Sequence, residues 1–185
     1  MEMGVKIEIR IGFPVGRTDR QASFHNPHGE AIQGEQPLFQ HLTQVGRIDG
    51  LILLAGVYWP MSTRQWDARQ AVTMADVNFT GWVRVLGQVV PDMVARDEGH
   101  IVLTGSLSGF RGLPGTIGYG ASKAGVMSLA ETMYYDLQKT GVDVQLANPG
   151  YIRTRLTDKN DFKMPFLTNS LEFSAKEIAI DINDL

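Results

Sequence analysis

Apolar and charged residues alternate at the start of the chain. Val5, Ile7, Ile9 and Ile11 are apolar, and Lys6, Glu8 and Arg10 lie between them. A period of two predicts a strand with one face buried. Residues 12–34 are rich in glycine, proline, asparagine, histidine and charge, and predict a loop. Pro37 to Val45 predicts a short helix, with Gly46 as its stop signal. Leu51 to Leu54 is an unbroken apolar run, the pattern of a strand covered on both faces of a parallel sheet.

Helical spacing takes over downstream. Thr63 to Gln70 predicts a short helix. Val72 to Arg96 predicts a longer one, because Val77, Trp82, Val83, Leu86, Val89, Val90 and Met93 recur at helical spacing. Pro91 should bend or interrupt it. Ile101 to Thr104 reads as a second buried strand. Tyr119 to Thr140 is the second long helix, with Val126, Leu129, Ala130, Met133 and Leu137 inward and Gly141 as its glycine stop. Val142 to Ala147 is a further strand, and Ser174 to about Ile182 a closing helix. Strands alternating with helices predict an α/β fold, a parallel sheet with helices on both faces.

Composition narrows the class. At 185 residues the chain fits one domain, and 43% hydrophobic with 20% charged residues is the balance of a soluble globular protein. A formal net charge of −3 argues against nucleic acid or an anionic membrane as the main partner. There is no cysteine, which excludes a disulfide framework and a thiol nucleophile. His25, His28, His41 and His100 have no metal-ligand spacing. No apolar run reaches the roughly 18 residues that span a bilayer, and the N-terminus lacks the pattern of a signal peptide. A cytoplasmic protein is the expectation.

The chemistry gathers in Gly99 to Lys123, which reads as a buried strand, a Gly/Ser turn, a loop and a helix start. Ser106 sits just beyond the strand. Tyr119 and Lys123 are four apart, so a helix puts them on one face. Open α/β sheets bind ligands beyond the carboxyl ends of their strands, where these residues fall. A cation near a phenol favours the phenolate, which suits a tyrosine to acid–base work near neutral pH. Taken alone, Tyr-x-x-x-Lys is more often an amphipathic tyrosine with a snorkelling lysine. Ser106 has a competitor in Ser108 within GSLSG, Asn78 in VNFTG could be an ordinary polar helix residue, and Pro149-Gly150 could be a plain turn.

Together, Asn78, Ser106 thirteen positions before Tyr119, Lys123, and Asn148-Pro149-Gly150 with Thr154 beyond resemble the short-chain dehydrogenase/reductase family, over Ile48 to about Leu167. The resemblance implies a Rossmann-like doubly wound parallel sheet and an NAD- or NADP-dependent oxidoreductase that interconverts a carbonyl and a secondary alcohol. It implies that Tyr119 exchanges a proton with the substrate oxygen and that Lys123 lowers the tyrosine's pKa and binds the nicotinamide ribose. Ser106 would donate to the carbonyl, and Asn78 would hold a water linking the lysine to solvent. Ala55-Gly56 matches the end of the family's Asn-Asn-Ala-Gly turn, with Leu53-Leu54 in place of the asparagines. Pro149, Gly150, Ile152 and Thr154 match the segment that receives the nicotinamide, and Thr157 to Leu167 matches a variable substrate loop. The two long helices would pair with those of other subunits in a homodimer or homotetramer, burying Trp82, Val83, Leu86, Met127, Met133 and Tyr134.

The family's first glycine-rich βαβ portion is incomplete here. Gly12-Phe-Pro-Val-Gly16 has two glycines, and Thr18 stands where a third belongs. Residues 1–47 are therefore expected to be a divergent or truncated N-terminal part of the Rossmann domain, and 48–185 its catalytic part. A catalytically inactive remnant acting as a protein-binding or oligomerisation module is the alternative expectation.

Overall fold

The alternating stretch at the start of the chain forms a strand, β1 (Val5–Gly12), in a computed structural model of the protein that describes residues 46–150 and the backbone of 5–12 and 20–26. A second strand, β2 (Arg20–Asn26), lies within the region whose composition predicts only loop. It pairs antiparallel with β1 from Val5 opposite Asn26 to Ile11 opposite Arg20. An outermost strand is held by backbone bonds along one side and needs little apolar patterning, so composition hides it.

Three more strands follow: β3 (Gly50–Leu53), β4 (Gly99–Thr104) and β5 (Val142–Ala147). The sheet order is β2-β1-β3-β4-β5. β3, β4 and β5 run parallel, and β1 runs antiparallel to β3. The parallel strands are joined by long helical crossovers, as parallel neighbours require.

The first crossover contains α1 (Ala68–Ala75), a π-helical turn over Asp76–Thr80, and α2 (Gly81–Ala95). Asp67 caps α1, its carboxylate accepting from the Gln70 N–H at 3.0 Å. The predicted helix over 63–70 is a single 3₁₀ turn, Thr63–Gln65, and Gln70 belongs to α1. α2 runs through Pro91 without a break. Both Pro91 and Gly87, whose carbonyl loses its helical donor there, are exposed, so water can take the place of the missing bond. The departure from α geometry comes earlier, where the Gly81 N–H bonds back to the Asp76 carbonyl.

The second crossover contains α3 (Ile117–Leu137). It ends before Gly141, which therefore is not its stop. A Cβ on Gly141 would lie 2.0 Å from the Asp97 carbonyl oxygen, and the Gly141 N–H donates to Asp97 Oδ1 at 2.7 Å. Close approach between two loops, rather than a left-handed helix end, is what requires glycine there.

The core lies between the crossover helices and one face of the parallel strands. Leu51, Ile101 and Leu103 have no exposed surface, and they pack with Trp82, Leu86, Val89, Val126 and Ala130. Burying each large aliphatic side chain contributes about 1.5–3 kcal/mol. Burial alternates along β3, with Ile52 half-buried and Leu54 beyond the strand exposed, so the Leu51–Leu54 run is not covered on both faces. Trp82 and Leu86 belong to this core and not to an outer surface; of the α2 residues expected at a subunit interface, Val83 alone is exposed. No helix of the described residues is long and apolar enough to cross a membrane. The helices expected over 37–45 and 174–182 lie outside the described residues.

Candidate active site

Tyr119 and Lys123 occupy the first two turns of α3, whose start is tied to an earlier loop. The Met61 N–H donates to the Gly115 carbonyl at 2.9 Å, and Met61 and Thr116 form a parallel bridge. α3 therefore begins beyond the carboxyl ends of β3 and β4 and points its first turn at them.

Lys123 is 4% exposed. Its Nζ donates to the Thr104 carbonyl at the end of β4 at 2.7 Å, and sits 4.6 Å from the centroid of the Trp82 ring and 5.8 Å from that of Tyr119. A buried ammonium over an indole face is a cation–π contact that offsets part of the cost of desolvation. Burial still lowers the lysine's pKa to about 8. An ammonium has three protons, and the Thr104 carbonyl takes one.

The pKa of the Tyr119 phenol is raised, first of all by burial, while a hydrogen bond from Ser106 pulls the other way. This differs from the lowering expected from Lys123. The ammonium turns toward the Thr104 carbonyl and the Trp82 face, and exclusion of water outweighs the hydrogen bond. Ser106, immediately past β4 and Gly105, hydrogen-bonds the Ser108 hydroxyl at 3.0 Å. Its oxygen also accepts from the Ser108 N–H at 3.3 Å. The two serines thus form one unit, with Ser108 buried behind and Ser106 toward the phenol.

Asn78 has no exposed surface and lies in the π-helical turn. Its Oδ1 accepts from the Val57 N–H at 2.8 Å, and its Nδ2 donates to the Val57 carbonyl at 2.9 Å. Nδ2 also donates to Ser122 Oγ at 3.2 Å, and Ser122 donates to the Tyr119 carbonyl at 2.8 Å. The side chain therefore ties the turn after β3 to the tyrosine's helix. For the water expected of it there remains the second lone pair of Oδ1, in a residue with no exposed surface.

Ala55 (buried) and Gly56 (half-buried) follow β3, and Pro149 (half-buried) and Gly150 (exposed) follow β5. Asn148 is 5% exposed, and among the described residues neither its amide oxygen nor its nitrogen has a hydrogen-bond partner. Its Oδ1 fills the space that a Cβ on Gly105 would occupy. An orphaned amide at the ends of β4 and β5 marks a place where a polar group can be received. These residues fit the nicotinamide half of a dinucleotide. Ile152, Thr154 and the loop 157–167 lie outside the described residues.

The register of β1 bears on the other half. Gly12, the last residue of β1, pairs with Gly50, the first of β3. Gly12 therefore ends β1 beside the amino-terminal end of β3, away from the carboxyl ends where Ser106 and Lys123 lie, and residues 13–16 lie outside the described residues.

Three site neighbours have little signal of their own in the sequence. Trp82 reads as one more member of an apolar stripe, and Ser122 as a helix serine, although it lies three residues after Tyr119. Tyr58 packs its ring against that of Tyr119, with centroids 5.0 Å apart and planes at 61°. A cavity lined by Gly109, Phe110, Met127, Ser128, Glu131 and Leu146 opens beside α3, and none of the expected site residues lines it.

The chain is similar to known proteins. The family model for short chain dehydrogenase matches residues 32–164. An uncharacterized oxidoreductase of Myxococcus xanthus is 39% identical over 124 residues, covering 67% of this chain and 49% of the relative. A 3-oxoacyl (acyl-carrier-protein) reductase of Thermotoga maritima is 36% identical over 119 residues, covering 62% of this chain and 46% of its own. Among solved structures, an NAD+-bound xylitol dehydrogenase superposes with a TM-score of 0.61 at 28% identity, covering 67% of this chain and 50% of that one. A gluconate 5-dehydrogenase of Burkholderia cenocepacia in complex with NADP and tartrate gives 0.61 at 26%, covering 69% and 50%. The chain spans about half the length of the curated relatives it matches.

Proposed function

This chain belongs to the short-chain dehydrogenase family, and from that premise we propose that it is an NAD(P)-dependent oxidoreductase interconverting a carbonyl and a secondary alcohol. The observation that carries the reading is the meeting of the Ser106 hydroxyl and the Tyr119 phenol one helical turn from the Lys123 ammonium, at the carboxyl ends of the parallel strands.

In carbonyl reduction Tyr119 gives its phenolic proton to the substrate oxygen. A phenol held protonated by burial is suited to donate. Ser106, held by Ser108, donates a hydrogen bond to the same oxygen and stabilises the charge developing there. Lys123 keeps a positive charge beneath the site and offers its remaining protons to a ribose hydroxyl. Asn78 fixes the Ala55-Gly56 turn through Val57, so that the small residues present backbone to the cofactor. Pro149 and Gly150 lie on the nicotinamide side, and the family resemblance assigns Ile152 and Thr154 to it as well. The bound nicotinamide supplies the hydride in reduction and takes it in oxidation.

The test is reduction of a panel of aldehydes and ketones with NADH and NADPH, run beside fluorescence titration of each cofactor. Turnover lost in Tyr119→Phe supports the reading, and cofactor binding with equal turnover in that variant overturns it. A second reading, a non-catalytic module, is favoured by the position of Gly12 at the end of the sheet away from the site. It expects no change in cofactor fluorescence at any concentration up to millimolar. Association through the outer faces of α2 and α3, where Val83, Val94 and Tyr135 are exposed, belongs to either reading and is checked by light scattering.

A further inference from the structure

We propose that Tyr58 is a positioning residue for Tyr119, a second aromatic ring that holds the phenol in place and shields it from water. The inference rests on the reading of Tyr119 as the proton-transfer group and assigns the residue that sets its surroundings.

Tyr58 lies in GVYWP, immediately after the turn that Asn78 fixes. It is 7% exposed and shares a small buried cluster with Met61 and Met74, against which Tyr119 and Ala71 pack. The two rings meet edge to face, centroids 5.0 Å apart at 61°. That arrangement directs the electropositive rim of one ring at the π face of the other and disfavours sliding. Both sides of the contact are anchored. On the Tyr58 side, Asn78 bonds both backbone groups of Val57, and the Met61 N–H bonds the Gly115 carbonyl. On the Tyr119 side, Ser122 donates to the Tyr119 carbonyl and is itself bonded by Asn78. One asparagine thus ties Val57, the residue before Tyr58, to the Tyr119 carbonyl by way of Ser122.

The contact has an electrostatic consequence. Tyr58 and Lys123 are the titratable groups that face Tyr119 among the described residues, with the Ser106 hydroxyl beside them. Burial raises the pKa of both phenols, and charge on Tyr119 further opposes ionisation of Tyr58. The ring of Tyr58 is part of the surface that keeps water off Tyr119. Removing that ring admits water and favours the phenolate; removing its hydroxyl alone leaves the shield in place.

The experiment uses the chain as it stands, labelled with tyrosine carrying carbon-13 at Cζ, whose resonance moves on ionisation. The signal absent from Tyr119→Phe assigns Tyr119. Tyr58→Phe should leave its midpoint where it is in the parent. Tyr58→Ala should shift it to lower pH, and Tyr58→Leu, which keeps apolar volume for the case in which the alanine variant does not fold, should shift it the same way. O-acetylation of Tyr119 by N-acetylimidazole at neutral pH, located by mass spectrometry, should be faster in the alanine and leucine variants than in the parent and the phenylalanine variant. An unchanged midpoint and an unchanged acetylation rate in the folded leucine variant overturn the proposal. Equal shifts in the leucine and phenylalanine variants also overturn it, because they assign the effect to the Tyr58 hydroxyl. These readouts need no turnover. A shifted midpoint in a chain that reduces no carbonyl counts against the catalytic reading and leaves the Tyr58–Tyr119 contact supported.

Discussion

The side chain of Asn78 hydrogen-bonds both backbone groups of Val57, at 2.8 and 2.9 Å, imitating one rung of a β-ladder between a helix and a loop 21 residues earlier. Its amide is the right shape for this because it carries a donor and an acceptor side by side. Asn78→Ala leaves both groups of Val57 and the Ser122 hydroxyl without that partner. A loss of stability on the order of 2–4 kcal/mol is expected, since each buried group left unpaired costs about 1–3 kcal/mol. Urea unfolding measures it, and faster hydrogen exchange at the Val57 amide should accompany it.

Tyr119→Phe removes the phenolic proton and keeps the ring that packs on Tyr58. Turnover should fall at least ~100-fold, the lower range for loss of a general acid. The melting temperature should change little, which separates a chemical effect from a structural one.

Lys123 links stability to pH. Its pKa is about 8 in the folded chain, against an ordinary 10.5, so the folded state holds that proton less tightly than the unfolded state does. Stability from this group is therefore lowest below pH 8 and rises as pH climbs from about 8 toward 10.5. Lys123→Met has no such proton. The stability of the variant relative to the parent should be greatest at neutral pH, by on the order of 3 kcal/mol at most, and should shrink toward pH 10. The raised phenols act in the opposite sense, losing stability above pH 10, so the comparison is made below that point. A difference that stays flat from pH 7 to pH 10 would contradict a desolvated ammonium.

Gly105→Ala should be destabilising by about 1–3 kcal/mol, the usual cost of overpacking. The added methyl would stand 2.0 Å from Asn148 Oδ1. Shortening the obstructing side chain in Gly105→Ala with Asn148→Ala should return much of the loss, and additive effects of the two changes would show that they do not compete for the same space.

The sequence by itself determined the elements that carry the chemistry. Ile101 to Thr104, Val142 to Ala147 and the helix holding Tyr119 and Lys123 stand where their periodicity places them, because a buried stripe or strand must repeat with the geometry of its backbone. The four-residue spacing of Tyr119 and Lys123 could be read in the same way, since it is local to one helix. Only the tertiary structure decided what each side chain faces. Trp82 and Leu86 show helical spacing like any surface stripe, and it is the sheet beneath α2 that takes them into the core. The direction of β1 is not encoded in its own alternation, which is the same read from either end. The pairing of Gly12 with Gly50 sets that direction, and with it the end of the sheet at which β1 finishes. The pKa of Tyr119 is likewise a property of the assembly. Lys123 four residues on suggests a lowered value, but the ammonium turns to the Thr104 carbonyl and Trp82 while burial drives the phenol upward. Charge and spacing are written along the chain; solvent exclusion exists once distant segments have closed over a residue.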